Sequence, residues 1–389
     1  MGLEQIIDEE PAILRQRESE PWVIGPPSVG IFKIDRGYLL GLVIATVLLR
    51  AVVFIGISWR LHLTVGQFGH LYDGGSYLVT AQAMLGDTSQ FNDYHGRVFP
   101  GFPAMIALLH RAGVPWAVGA IGLDWVCAAV AAALAAVVFQ DRRIGWGMAM
   151  GFPHYLMNST MAMSEAPLLA FTLSGLLLSE RRRPLLGGIA LGLAGLVRPM
   201  ACFAVIGAVL VALRRKRYRD VMALMVTSGA IVLIGLALMN HWRGDALAGA
   251  RYYATGVGAY NGHLFAWPFE SLALTPFREH ISWPRVAYLW GHALIALMAC
   301  FALIRRYMAG PEDRDALCVP WLLGNTAFSL CVGSIWGFEC FHRFLIPALP
   351  ALLWPLRTFL PRRAVVWIGV AAICATVAIL SAQKVLMAN

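Results

Sequence analysis

Residues 221–240 read VMALMVTSGAIVLIGLALMN and contain no charge. At roughly 1.5 Å per residue, such a helix matches a hydrocarbon core of roughly 30 Å. Working outward, residues 364–382 are equally free of charge, and residues 37–58 hold only Arg50. The chain is 59% hydrophobic and 14% charged, against roughly 45–50% and about 25% in soluble domains. The apolar excess is laid out in runs of spanning length. This predicts one integral membrane bundle, although 389 residues alone suggest two or three soluble domains.

Residues 1–36 mix Glu4, Asp8, Glu9, Glu18 and Glu20 with Arg15, Arg17, Lys33 and Arg36. A secretory signal has a basic start followed at once by an apolar stretch. This segment reads instead as a cytoplasmic tail, with Pro26–Pro27 breaking any helix before residue 31. The net charge of +9 does not point to nucleic acid, because the cations sit at helix ends and not on an aromatic-studded stripe. The seven cysteines show neither metal-ligand spacing nor a disulfide framework. No repeat or low-complexity tract is visible.

Basic clusters set the topology, since short cytoplasmic loops collect Lys and Arg. Such clusters occur at 142–143, 181–183, 214–219, 305–306 and 357–363. If all are cytoplasmic, an even number of crossings separates each neighbouring pair. Helices over 37–58, 115–139, 144–161, 164–179, 184–197, 200–213, 221–241, 286–304, 315–335, 344–357 and 364–382 meet that condition. The expected architecture is an all-α bundle of about eleven transmembrane helices, with the N-terminus inside. The domain 37–389 then exposes extracytoplasmic loops over about 59–114 and 243–285. The cytoplasmic side holds 20 Lys and Arg residues and the opposite side 10. Residues 184–213, interrupted at Pro199, read as a short hairpin that dips in and returns. Residues 100–112 read as an amphipathic interfacial helix.

The first long loop contains His70-Leu71-Tyr72-Asp73-Gly74-Gly75-Ser76-Tyr77. Asp73 reads either as the cap of a helix over 77–85 or as a general base at the bilayer surface. Downstream, Arg97 precedes Val98-Phe99-Pro100-Gly101-Phe102-Pro103, whose prolines and glycines turn the chain into the interfacial helix. Ser164-Glu165-Ala166-Pro167 opens a helix at the outer face, where Glu165 either favours the positive helix end or touches substrate. Arg198-Pro199 lies at the apex of the apolar hairpin. A guanidinium there needs an anion, either a phosphate held by a bidentate fork or a protein carboxylate such as Glu165. His342 and Arg343 begin a further helix at the outer face. Tyr72 and His263 supply aromatic or polar contacts suited to a sugar, and also to a membrane interface. Arg50 and Asp124 lie within helices and read either as a structural pair or with Arg50 reaching the outer surface; neither reads as catalytic. Asp73, Arg97, Glu165, Arg198, His342 and Arg343 all fall on one side of the expected topology.

With these motifs in their order, the chain resembles the polytopic GT-C glycosyltransferase superfamily. That group includes protein O-mannosyltransferases, the lipid A aminoarabinose transferase and the mannosyltransferases of glycolipid anchors. The resemblance covers residues 37–350. It rests on Tyr72 to Tyr77, Arg97 to Pro103, Ser164 to Pro167, Leu196-Val197-Arg198-Pro199, and His342 to Pro350. It implies a GT-C type bundle with interfacial helices in the first extracytoplasmic loop. It also implies a polyprenyl-phosphate sugar donor and transfer by inversion. Asp73 matches the family's first-loop acid, a base or metal ligand. Some members carry two adjacent acids and bind a divalent metal there. This sequence departs from them by having Gly74 beside a single Asp73, which would be the ligand of any metal bound. The acceptor implied is a lipid, glycan or protein hydroxyl, although the large soluble C-terminal domain of several relatives has no counterpart here.

The function expected from this resemblance is transfer of the sugar to an acceptor hydroxyl on the extracytoplasmic side of a membrane, with the bacterial inner membrane as the expected location. Asp73 takes the hydroxyl proton. Arg198, with Arg343 or Arg97, stabilises the departing phosphate. Tyr72, Glu165, His263 and His342 complete the substrate-binding set. The rival reading is a transporter or flippase for a lipid-linked or anionic solute, which often shows two related halves with broken helices. No such internal symmetry is visible.

Overall fold

A computed structural model of the chain describes residues 34–255, 265–278, 280–333 and 340–386. The N-terminal tail and His263 lie outside the described residues. Asp35 onward forms one compact unit. It is helical throughout, with a single isolated bridge between Phe265 and Val332 among the described residues.

Helix α1 spans Arg36–Leu61; the short α2, Val65–Gly69, and α3, Gly74–Met84, follow it. After a 3-10 turn at His95–Arg97 come α4, Gly101–Arg111, and α5, Trp116–Phe139. The run expected as one helix over 144–161 is two pieces, α6 at Arg142–Met150 and α7 at Pro153–Asn158. Pro153 has no N–H to continue α6, so it restarts the helix at the first position, where no donor is needed. Helices α8, Glu165–Glu180, α9, Pro184–Val197, α10, Cys202–Arg214, and α11, Tyr218–Arg243, lead to the shorter α12, Ala248–Thr255, and α13, Glu270–Arg278. The chain closes with α14, Trp283–Ala309, α15, Asp313–Cys331, α16, Phe341–Leu345, α17, Leu349–Leu356, and α18, Ala364–Leu386. The helix expected over 344–357 is thus also divided, by a 3-10 turn at Ile346–Ala348 that contains Pro347.

Five of these helices are long and apolar enough to cross a membrane: α1, α5, α11, α14 and the Val365–Ala382 part of α18. Their outward faces fit a bilayer environment. On α1 the residues Leu42, Thr46, Arg50, Val53 and Ile57 are buried, while Leu40, Ile44, Leu48, Val52 and Ile55 face out. A helix apolar on both faces needs lipid on the side that protein does not cover. α11 repeats the pattern with Met222, Val226, Leu233 and Leu238 exposed.

Helices α9 and α10, at 14 and 13 residues, are each shorter than the roughly 20 residues a straight crossing requires. They meet at a 3-10 turn, Pro199–Ala201. The two arms nevertheless pack on different partners. α9 lies between α8 and α11, whereas α10 packs mainly against α15. Small residues explain the first contact. A Cβ on Gly192 would come within 2.7 Å of Ile231 Cβ and 2.9 Å of the Ser228 carbonyl. Such small positions let helix backbones approach closely where no hydrophobic force drives them together.

The first-loop helices are fixed to this bundle. Phe68, Leu78, Phe102 and Ile106, from α2, α3 and α4, share one buried cluster with Val53 of α1 and Leu168 of α8. Helix α4 occupies most of the stretch read as amphipathic: Phe102 and Ile106 face inward and Leu108 outward.

Gly192→Leu should cost roughly 1–3 kcal/mol through overpacking. Gly229→Leu on the outward side of α11, where a Cβ meets nothing within 4 Å, should be neutral. Thermal unfolding of the detergent-solubilised protein distinguishes the two; equal effects would contradict the α9–α11 contact.

Candidate active site: an alternating chain of charges

The turn between α2 and α3 sets the first charged group. Thr64 and Gln67 form a capping box that opens α2, and its satisfied N-terminus fixes the path of the chain. Tyr72 then adopts a left-handed conformation, φ 52°, which is uncommon for a residue with a side chain and concentrates at functional sites. At Gly74 an added Cβ would lie 2.3 Å from the Gly69 carbonyl, so the turn closes only with glycine there. Asp73 stands at the N-cap position of α3, yet its side chain makes no capping hydrogen bond. Its two oxygens go to two arginines instead. Arg97 Nη2 donates to Oδ1 at 2.6 Å, and Arg343 Nη1 donates to Oδ2 at 2.6 Å.

Arg97 comes from the 3-10 turn before α4. Its guanidinium also donates to Ser76 Oγ at 3.0 Å and to the Tyr94 carbonyl, and it lies 3.6 Å from the centre of the Tyr94 ring. Arg343, from α16, bridges onward, with Nε donating to Glu165 Oε1 at 2.5 Å. The same Glu165 oxygen accepts from Arg198 Nη2 at 2.7 Å. Arg198 Nε donates to Ser164 Oγ at 2.7 Å, and that hydroxyl shares a 2.7 Å hydrogen bond with Tyr77. Five residues distant in sequence thus form one line: Arg97, Asp73, Arg343, Glu165, Arg198. Glu165 is fully buried at the first position of α8. Of the two partners open to Arg198 in the sequence, the carboxylate of Glu165 is the one it meets.

Three guanidiniums and two carboxylates leave this line one positive charge in excess. Two of its polar atoms, Arg343 Nη2 and Glu165 Oε2, are buried and have no hydrogen-bond partner among the described residues. Burial alone would lift the Asp73 carboxyl above its ordinary range. The Arg343 and Arg97 guanidiniums outweigh that and hold it down at about 2.

The arrangement does not suit a divalent cation. Both Asp73 oxygens face guanidiniums, the local charge is already positive, and no group of three metal-binding side chains occurs among the described residues. Tyr72 flanks the line, with its hydroxyl 3.7 Å from Met157 Sδ. His342 precedes Arg343 but turns toward His154, their ring centres 3.6 Å apart. Arg50 and Asp124 bond to other groups and not to each other, and Arg50 Nη2 and Asp124 Oδ1 are buried with no hydrogen-bond partner among the described residues. Arg50 donates to Ser159 Oγ and the Thr46 carbonyl, and Asp124 accepts from the Met163 N–H. Ser76, Tyr77 and Ser164 lie within the quoted motifs, but their positioning role escapes sequence reading. So do His154, Tyr288 and His292, whose only signal is polarity within apolar runs.

The chain matches no protein-family model and no curated protein. The functional reading therefore rests on the geometry and on the resemblance of the motifs.

Because the folded Asp73 titrates near 2 and an unfolded one near 3.8, its ion pairs stabilise the fold fully above that upper value. The contribution is lost as pH falls toward 2. Asp73→Asn should remove this component, so wild type should lose more thermal stability than the variant between pH 4 and pH 2. Parallel acid profiles would show that the pairs contribute nothing.

Proposed function

We propose that the protein is a membrane glycosyltransferase of the GT-C type. It moves a sugar from a polyprenyl-phosphate donor to an acceptor hydroxyl with inversion, on the extracytoplasmic side of a bacterial inner membrane. The observation that carries this reading is the largely buried line of three arginines and two carboxylates. It has the excess positive charge a lipid phosphate needs, beside an acid that can accept a proton. Around it we propose about eleven crossings, with α2 to α4 at the outer interface and the basic helix ends in the cytoplasm.

In the proposed reaction the acceptor oxygen attacks the anomeric carbon from the face opposite the phosphate. The acceptor O–H proton passes to the Asp73 carboxylate. The bond from anomeric carbon to phosphate oxygen breaks, and its electron pair leaves with the polyprenyl phosphate. Arg343 and Arg198 offset the charge that develops there; one such contact in a dry site is worth roughly 2.7–4 kcal/mol. A phosphate departs without a general acid.

A carboxylate held near 2 is a weak base at neutral pH. The donor resolves this, because its phosphate competes for Arg343 and relaxes the hold on Asp73. Basicity then appears where the donor is bound. No divalent metal is needed for this sequence of events. The acceptor is a lipid, glycan or protein hydroxyl.

Asp73→Asn keeps the side-chain size but cannot take the proton. Sugar transfer should fall by roughly 10²–10⁴-fold, with donor binding retained. Asp93, an exposed acid of the same loop, is the control: Asp93→Asn should transfer normally. Arg198→Ala should weaken binding of the lipid phosphate, and Arg198→Lys should restore it only in part, because a point charge replaces a fork. Near-normal transfer by Asp73→Asn would move the chemistry elsewhere.

The orientation has its own test. Cysteines placed at exposed positions of 59–114 should react with an impermeant maleimide added from outside, and one at Lys216 should not. The opposite pattern would overturn the sidedness of the site.

A further inference from the structure

Beside the line of charges lies a cluster that the proposed chemistry does not use. His154 comes from α7, Tyr288 and His292 from consecutive turns of α14, and His342 from α16. The Tyr288 hydroxyl and His154 Nδ1 share a 2.6 Å hydrogen bond. His292 Nδ1 lies 2.9 Å from the Tyr288 carbonyl. The rings of His154 and His342 are 3.6 Å apart, and His292 stands 5.9 Å and 6.0 Å from them. His342 Nδ1 is buried with no hydrogen-bond partner among the described residues. Leaving a polar atom so placed costs roughly 1–3 kcal/mol, and an apolar side chain would fill the space without that cost.

The chemistry of the cluster selects its ligand. Burial disfavours a proton on His342, and the His154 and His292 rings with the Arg343 and Arg285 guanidiniums add to that. The groups acting on it include no carboxylate. An anion finds no spare charge here. No group of three metal-binding side chains placed to hold an ion occurs among the described residues. A neutral imidazole offers one donor and one acceptor, as a sugar hydroxyl does. The aromatic faces of Tyr288 and Phe152, the latter 5.4 Å from His292, suit the C–H face of a pyranose. The Arg343 guanidinium is near enough to act on His342, so a group held by these rings lies close to a phosphate held by that arginine.

We propose that His154, His292, His342 and Tyr288 form the subsite for the sugar ring of the donor, read through its hydroxyl groups. This inference rests on the glycosyltransferase reading. It assigns the donor's two parts to two adjoining places, phosphate on the arginines and sugar on the histidines.

The test measures binding of farnesyl phosphate and of farnesyl phosphates carrying glucose, mannose, galactose or arabinose. The full chain is reconstituted in phosphatidylglycerol nanodiscs. At least one glycosyl form should bind wild type about tenfold or more tightly than the bare lipid phosphate, the gain expected of two or three neutral hydrogen bonds. In His292→Phe and in the milder Tyr288→Phe that advantage should shrink below about threefold, with affinity for bare farnesyl phosphate unchanged. Arg198→Ala should weaken both ligands together. If no glycosyl form is preferred by wild type, or if both histidine-side variants keep the preference, the sugar subsite is wrong. If Arg198→Ala binds bare farnesyl phosphate normally, the phosphate assignment fails instead, and the sugar preference still judges the histidines.

Discussion

Arg343 is the residue on which the rest of the site depends. It bridges Asp73, at the turn into α3, and Glu165, at the start of α8, and so ties the first loop to the bundle. Glu165 is fully buried and Asp73 partly so, and guanidiniums face both carboxylates. Removing one member of such a buried pair typically costs 3–5 kcal/mol, since its partner is left as an uncompensated charge. The same network replaced by well-packed apolar side chains would often be no less stable. Its presence is therefore better explained by what it holds in place than by what it adds to folding.

The bilayer supplies the second constraint. Helices such as α1 and α11 present Leu, Val and Met outward as well as inward, so lipid closes the structure. With hydrocarbon outside, a backbone group must find its partner within the protein. The breaks at Pro153, Pro199 and Pro347 are accordingly followed at once by new helical turns. Two of these breaks also serve the site. The turn at Pro199 leaves Arg198 extended at the end of α9, and the division before Pro347 leaves the five residues of α16 free to present His342 and Arg343 in different directions.

An excess of one positive charge, in a place where charge interactions are little screened, favours an anion over a neutral solute. The neighbouring histidine cluster has the complementary character: polar, neutral and aromatic. In the proposed reading a glycosyl phosphate carries both characters one bond apart.

Much of this was legible in the amino-acid sequence. Hydropathy is a local property, so the runs at 37–58, 115–139, 221–241, 286–304 and 364–382 marked the five long apolar helices. Polar residues inside or beside such runs are costly enough to stand out, and Asp73, Arg97, Glu165, Arg198, His342 and Arg343 did so. Apart from Arg198 with Glu165, which the sequence offered as one alternative, their pairing was not legible, because residues 73, 165, 198 and 343 meet only after the bundle has assembled. The sequence could not say that Asp73 would leave the cap of α3 unmade, nor that Arg343 rather than Arg198 would stand at the centre. It passed over His154, Tyr288 and His292, since a lone polar residue in an apolar helix carries no sign of its neighbours. Sequence determined the solvent of this protein and the identity of its charged groups, because both follow from residue chemistry. Tertiary structure decided which charges face each other and which polar atoms are left to meet a ligand, because those depend on distances across segments that the chain keeps far apart.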